Sequence, residues 1–270
     1  MRFRLSPITD TSPIKVTRPE TQLDLRDSLR IEPAAIHVWA FSLEGGPELV
    51  QRCRASLAAE EQRRADRFVF ERDRTRYTIA HGVLRHLLSR YCEVTPESLR
   101  FEASGAGKPS LSAPSLPAHA AQLHFNLSHS DDRALVGVSE GREIGIDVEK
   151  VRANIEALAI SRNYFFGSER DTIAASATPD DTFFRYWVAK EAVLKAQGIG
   201  LGFPLDRFHV AFNPGDLSAR VDTFDPVALA ADWTVRMLPC ESGWHAAVAA
   251  RGTDWVVKAG SPVVTDPSHL

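Results

Sequence analysis

From Thr75 to Cys92 the apolar residues Ile79, Val83, Leu84, Leu87, Leu88 and Tyr91 recur at the spacing of one helix face. Past Gln122 that period gives way to short runs of strand-formers, Gln122 to Leu127, Ala134 to Ser139 and Glu143 to Glu149, parted by polar or Gly-containing turns. The same order returns later. Helical patterning after Val151 ends in a long segment from Asp181 to Gln197, stopped by Gly198 and Gly200, and strand candidates follow at Phe208–Phe212, Trp233–Leu238 and Trp244–Ala250. Helices followed by strands, twice, predict an α+β fold rather than the strict alternation of a parallel doubly wound sheet. An earlier strand is expected over Ile36–Leu43, and Pro47–Arg67 has helical composition. The three runs after Gln122 read most simply as a meander. Ser104–Pro117, rich in Gly, Pro, Ser and Ala, reads as an irregular loop.

These patterns divide the chain into an N-terminal extension (1–30) expected to be peripheral, two α+β halves (31–140 and 141–260) and a tail (261–270). With 270 residues, 44% hydrophobic and 25% charged, the chain can bury a substantial core without disulfides. A formal net charge of −3 gives no overall pull toward nucleic acid or an anionic membrane. Cys53, Cys92 and Cys240 are far apart and lack CxxC spacing, so a disulfide framework and a zinc knuckle are both disfavoured and a reducing cytoplasm is expected. The charged N-terminus runs at once into Ser6, Pro7 and Thr9, and no apolar run reaches spanning length. A soluble monomer is expected.

Chemistry concentrates in four places. In Ile144-Gly145-Ile146-Asp147-Val148-Glu149 the two carboxylates stand at i and i+2 of a strand and so share one face. Two like charges side by side call for a proton or a hard cation such as Mg2+, although the pattern taken alone reads better as an exposed acidic strand edge. In the helix Trp187–Lys195, Glu191 and Lys195 project together at i and i+4, which by itself reads as an ordinary surface ion pair; Trp187 reads as a core anchor. Phe125-Asn126-Leu127-Ser128-His129-Ser130 ends a strand in a polar cluster. Ser128 lacks the GxSxG turn of a nucleophilic serine, and its neighbour His129 points to the opposite strand face, so a phosphate-binding corner suits the cluster better than a hydrolase pair. Gly105-Ala106-Gly107-Lys108-Pro109 places one lysine in a glycine loop without the Walker spacing.

Taken in order, Gly107-Lys108-Pro109, FNLSHS (Phe125–Ser130), IGIDVE (Ile144–Glu149) and WVAKEAVLK (Trp187–Lys195) resemble the motifs of Sfp-like 4'-phosphopantetheinyl transferases, over about Ile36 to Ala250. The Trp and KEA form of the last motif resembles the branch that serves secondary metabolism. The resemblance implies a pseudo-dimer of two similar α+β halves with coenzyme A in the cleft between them, and an apo acyl or peptidyl carrier protein as partner. It implies that Asp147, Glu149 and Glu191 hold Mg2+, that Lys195 meets the phosphates, and that Lys108, Ser128 and His129 hold phosphate groups of the coenzyme. Arg64 and Arg76 lie where relatives carry further basic residues, although Glu61-Gln62-Arg63-Arg64 is less basic than the pattern. The implied mechanism uses Asp147, Glu191 and Lys195 as the catalytic group.

Overall fold

The computed structural model describes residues 3–8, 12–103, 107–112, 116–153, 155–200, 202–223 and 232–262. Two five-stranded sheets lie face to face, with helices on both outer sides. The first half opens with β2 (Ala35–Ser42), runs through α2 (Pro47–Ser56), α3 (Ala59–Asp66) and α4 (Glu71–Cys92), and closes with the hairpin β5 (Leu123–Ser130) and β6 (Arg133–Glu140). The second repeats that plan: β7 (Ile144–Lys150), then α5 (Ala157–Tyr164), α6 (Gly167–Ala175) and α7 (Pro179–Gln197), then β8 (Phe208–Phe212), β9 (Ser218–Thr223) and the hairpin β10 (Trp233–Leu238) and β11 (Trp244–Arg251). In each half the second hairpin strand returns antiparallel to the opening strand, β6 to β2 and β11 to β7. This is the duplication that the sequence shows only as an order of elements, and it makes the fold a pseudo-dimer.

Strand alternation decides what each sheet face covers. On β2, Trp39 and Phe41 face α4 and join a core with Ile79, Val83 and Leu87, whereas Ile36, Val38 and Ala40 face the other sheet. On β11, Ala247 and Ala249 pack beneath α7, and Ala246, Val248 and Ala250 turn to the first sheet. Each large side chain so buried contributes roughly 1.5–3 kcal/mol. Helix α7 begins with Pro179 at its first turn, followed by Asp180 and Asp181, and ends with Lys195 near Gly198 in a left-handed cap; every one of these placements suits the helix dipole or its unpaired end groups.

Three expectations are corrected. The extension is not peripheral: β1 (Phe3–Pro7) pairs antiparallel with β12 (Val256–Pro262), Thr17 bridges to Phe41, and Leu23, Leu25 and Leu29, around the short α1 (Pro19–Leu23), join the core under α4. Its buried residues follow no single period, among them Thr17, Gln22, Leu23, Leu25 and Leu29, so neither a strand nor a helix pattern stands out amid the charge and Pro. The three runs after Gln122 are not a meander, since β7 leaves the β5–β6 hairpin and becomes the edge of the second sheet, in the order β7-β11-β10-β9-β8. Finally, the loop after Phe101 contains β4 (Pro109–Leu111), paired with β3 (Phe101–Ala103); Gly105 and Ala106 lie outside the described residues. Among the described residues no helix is long and apolar enough to cross a membrane.

Candidate active site

The site lies where the edge strands of the two sheets, β5 and β7, meet under α7. On β7, Ile144, Ile146 and Val148 face the first sheet, leaving Gly145, Asp147 and Glu149 on the α7 side. Gly145 lets the helix come close: a Cβ there would lie 2.0 Å from Ala192 O and 2.3 Å from Ala196 N. That contact sets the height of α7 above the strand, and with it the reach of Glu191 and Lys195.

The exposed backbone of β7 is sealed by side chains rather than by another strand. Asn126 Oδ1 accepts from the Ile146 N–H at 2.9 Å, Ser128 Oγ from Val148 at 3.4 Å and Ser130 Oγ from Lys150 at 3.3 Å. Three polar residues at alternate positions of β5 thus match three N–H groups at alternate positions of β7, giving an edge strand partners without extending the sheet. The two hydroxyls do double work, because Ser128 also donates to Asp147 Oδ1 at 2.7 Å and Ser130 to Glu149 Oε2 at 2.5 Å.

Lys195 Nζ completes the centre, 2.6 Å from Asp147 Oδ1 and 3.0 Å from Ser128 Oγ. Asp147 is almost wholly buried, and desolvation raises its pKa even with the ammonium beside it. Glu149 is raised by burial and by the Asp147 charge. Glu191, 5% exposed, is pushed up to about 7 by desolvation first and then by Asp147, with Glu149 adding to it. Asp147 Oδ2 and Glu191 Oε1 are buried without a hydrogen-bond partner. An unpartnered carboxylate oxygen out of water is costly, so two of them in one acidic group leave a place for a proton or a cation. Among the described residues no three His, Cys, Asp or Glu side chains already converge as a metal cluster; Lys195 holds one oxygen of Asp147 and Ser130 one of Glu149. The donor set, all carboxylate oxygen, nevertheless fits a hard cation.

From Glu149 a cleft of about 650 Å³ opens between the halves, lined by Arg72, Arg76 and Tyr77 of α4, by His129 and Asp131, and by Lys150 and Arg152. Asp131 bridges its walls, 2.9 Å from Arg76 and 2.5 Å from Lys150. His129 opens onto this space, and partial desolvation followed by the charges of His81, Lys195 and Arg76 lowers its pKa. Ser128, Asp147, Glu149, Glu191 and Lys195 are therefore brought together, with Arg76 and His129 at the adjoining cleft. Arg64 is exposed above the Tyr77 ring, 5.6 Å from its centroid, and does not line the cleft. Lys108 lies at the other end of β7.

Sequence reasoning overlooked Asn126 and Ser130, although their spacing with Ser128 was visible. It also overlooked Lys190, which is fully buried, 2.9 Å from the equally buried Glu169 and bonded to Leu205 O and Phe208 O. This lysine fixes α7 to the chain entering β8. Nothing in a helix reading separates it from a surface lysine.

Residues 143–249 match the family described as the 4'-phosphopantetheinyl transferase superfamily, and residues 47–140 match the N-terminal region of 4'-phosphopantetheinyl transferases. The chain is 34% identical over 227 residues to 4'-phosphopantetheinyl transferase HetI of Nostoc, an alignment covering 83% of this chain and 90% of that one. The chain belongs to the 4'-phosphopantetheinyl transferase superfamily. This transferase is also 28% identical to 4'-phosphopantetheinyl transferase Sfp of Bacillus subtilis over 76% of its own length and 87% of that relative. With mouse L-aminoadipate-semialdehyde dehydrogenase-phosphopantetheinyl transferase it shares 31% identity, over 65% of its length and 60% of the relative's. The relatives and the two matched regions make it a transferase of the Sfp-like type.

Proposed function

We propose that this transferase moves the 4'-phosphopantetheine group of coenzyme A to a serine of an apo acyl or peptidyl carrier protein at the junction of β5, β7 and α7, with Mg2+ held by Asp147, Glu149 and Glu191. The observation that carries the site assignment is the pair of unpartnered oxygens, Asp147 Oδ2 and Glu191 Oε1, in an acidic group beside the interdomain cleft. Bound there, Mg2+ would offset the negative charge of the diphosphate and polarise it.

The remaining chemistry belongs to the chain. Arg76 and His129, which line the cleft, would meet phosphate oxygens by charge-assisted hydrogen bonds; Arg64, over the Tyr77 ring, would add charge without lining it. The carrier serine Oγ attacks the β-phosphorus, a new P–O bond forms, and the bond to the bridging oxygen breaks to release adenosine 3',5'-bisphosphate. Glu191, beside the other two carboxylates, is the candidate to accept the serine proton, directly or through a water. Lys195 stabilises the leaving phosphate, while Ser128 positions Lys195 and Asp147 through the same hydroxyl. Positioning and charge neutralisation supply most of the rate in phosphoryl displacement of this kind.

A Ser128 hydrolase is the competing reading. It is disfavoured because the Ser128 hydroxyl donates to a buried carboxylate and accepts from Lys195, while His129 faces the cleft. A fluorophosphonate probe separates the two. The transferase reading expects no label on Ser128 and full loss of adenosine 3',5'-bisphosphate release in EDTA; stoichiometric labelling with indifference to EDTA overturns it.

A further inference from the structure

The lysine of the glycine loop does not face the cleft. Lys108 Nζ has three N–H donors, and they meet Glu143 Oε2 at 2.5 Å, Ile144 O at 3.1 Å and Ala196 O at 3.0 Å. Ile144 is the first residue of β7, and Ala196 carries one of the last carbonyls of α7, which have no partner inside the helix. The ammonium thus joins the start of the strand to the end of the helix, where the helix dipole also favours a cation. Its side chain is 14% exposed and packs over Gly198, lying 3.4 Å from where a Cβ at that glycine would sit. Gly198 already requires a left-handed backbone, at φ 72°. The glycine therefore ends the helix and leaves room for the lysine stem.

The cleft lies elsewhere. On β7 its wall begins at Glu149, five residues along an extended strand from Ile144, or about 17 Å at the usual rise. The acceptor carboxylate is itself well prepared: Glu143 also pairs with His124 at 3.1 Å, and His124 followed by Lys108 holds its pKa at about 2, so it is ionised at any working pH.

We infer that Lys108 is a positioning residue: it clamps the C-terminal turn of α7, carried by the second half, to the head of β7 from a loop of the first half, and so fixes Lys195 and Glu191 over Asp147. The clamp holds the catalytic register and leaves coenzyme A binding to the cleft. The kinetic part of this inference rests on the transferase reading above.

The test compares Lys108→Met, which keeps the stem and removes the charge, with the parent protein in three measurements. Calorimetric titration reads affinity for coenzyme A and for 3'-dephospho-coenzyme A. Turnover at saturating coenzyme A and carrier reads kcat separately from KM. Amide hydrogen exchange over residues 193–198 reads the last turn of α7 without any turnover, so it stands even if the transferase reading fails. The clamp predicts both affinities within twofold of the parent, kcat lowered about tenfold, and faster exchange confined to that turn. A tenfold weaker affinity for coenzyme A with the 3'-phosphate preference lost and exchange unchanged identifies a phosphate ligand and overturns the inference; so does a variant indistinguishable from the parent. If Lys108→Met does not fold, Glu143→Gln takes its place. The clamp then predicts faster exchange at 193–198 and lower kcat, whereas a phosphate-binding Lys108 predicts tighter coenzyme A binding and unchanged exchange.

Discussion

Lys195 Nζ lies 2.6 Å from Asp147 Oδ1, and the other oxygen of the same carboxylate is buried without a hydrogen-bond partner. One aspartate therefore serves two purposes: one oxygen holds the lysine in register, and the other is free for a cation. Asp147→Asn keeps the shape but weakens both interactions. It is expected to lower transfer by at least about a hundredfold, the scale of losing one preorganised charge contact in a phosphoryl site. Circular dichroism should stay that of the parent; near-normal turnover would remove Asp147 from the chemistry.

Glu191 gives a pH dependence with a definite sign. Its carboxyl is raised from 4.5 to about 7 in the fold, so the protonated form is favoured there. The stability it contributes is complete below pH 4.5 and is lost as pH rises through 7, to the extent of on the order of 3 kcal/mol. In EDTA at pH 8, Glu191→Gln should therefore melt several degrees above the parent, with the gap closing toward pH 4.5. The same variant should lose about a hundred- to ten-thousandfold in turnover, as expected when a general base is removed. Equal melting temperatures at pH 8 would show that the glutamate is not desolvated.

Gly145 sets how closely α7 approaches. Since an added methyl would meet the backbone of Ala192 and Ala196, Gly145→Ala must push the helix away from β7. A loss of about 1–3 kcal/mol in urea unfolding is expected from overpacking. Transfer should fall further than that loss explains, because Glu191 and Lys195 move with the helix. A variant as stable and active as the parent would mean that α7 is not held at this contact.

At the cleft, Arg76→Ala should raise the KM for coenzyme A about tenfold or more while kcat changes little, the cost of one charge-assisted contact. Steady-state kinetics at varied coenzyme A read both constants. A fall in kcat with KM unchanged would place Arg76 outside the binding surface.

The legible parts of the site were those with local periodicity. Asp147 and Glu149 share a face because a strand alternates, and Glu191 and Lys195 because a helix turns every 3.6 residues; neither statement needs the rest of the chain. That the two pairs meet was carried by family resemblance, since no local rule brings β7 under α7. The β5–β7 ladder shows the limit well. Asn126, Ser128 and Ser130 were visible as an alternating polar set, but their partners are backbone N–H groups of a strand in the other sheet. The surroundings of Lys108 and Lys190 are illegible for the same reason: one bonds across the two halves and the other to carbonyls beyond its own helix. β12 returns to the first sheet beside β2, a pairing across more than two hundred residues that no short window detects.

The account stands most directly on the intact mass of an apo carrier protein incubated with this transferase and coenzyme A, measured with Mg2+ and again with EDTA, beside the Asp147→Asn variant. It predicts a gain of one phosphopantetheine with the parent in Mg2+, and none in EDTA or with the variant. An equal gain under all three conditions would contradict the assignment of the carboxylates at the β7–α7 junction.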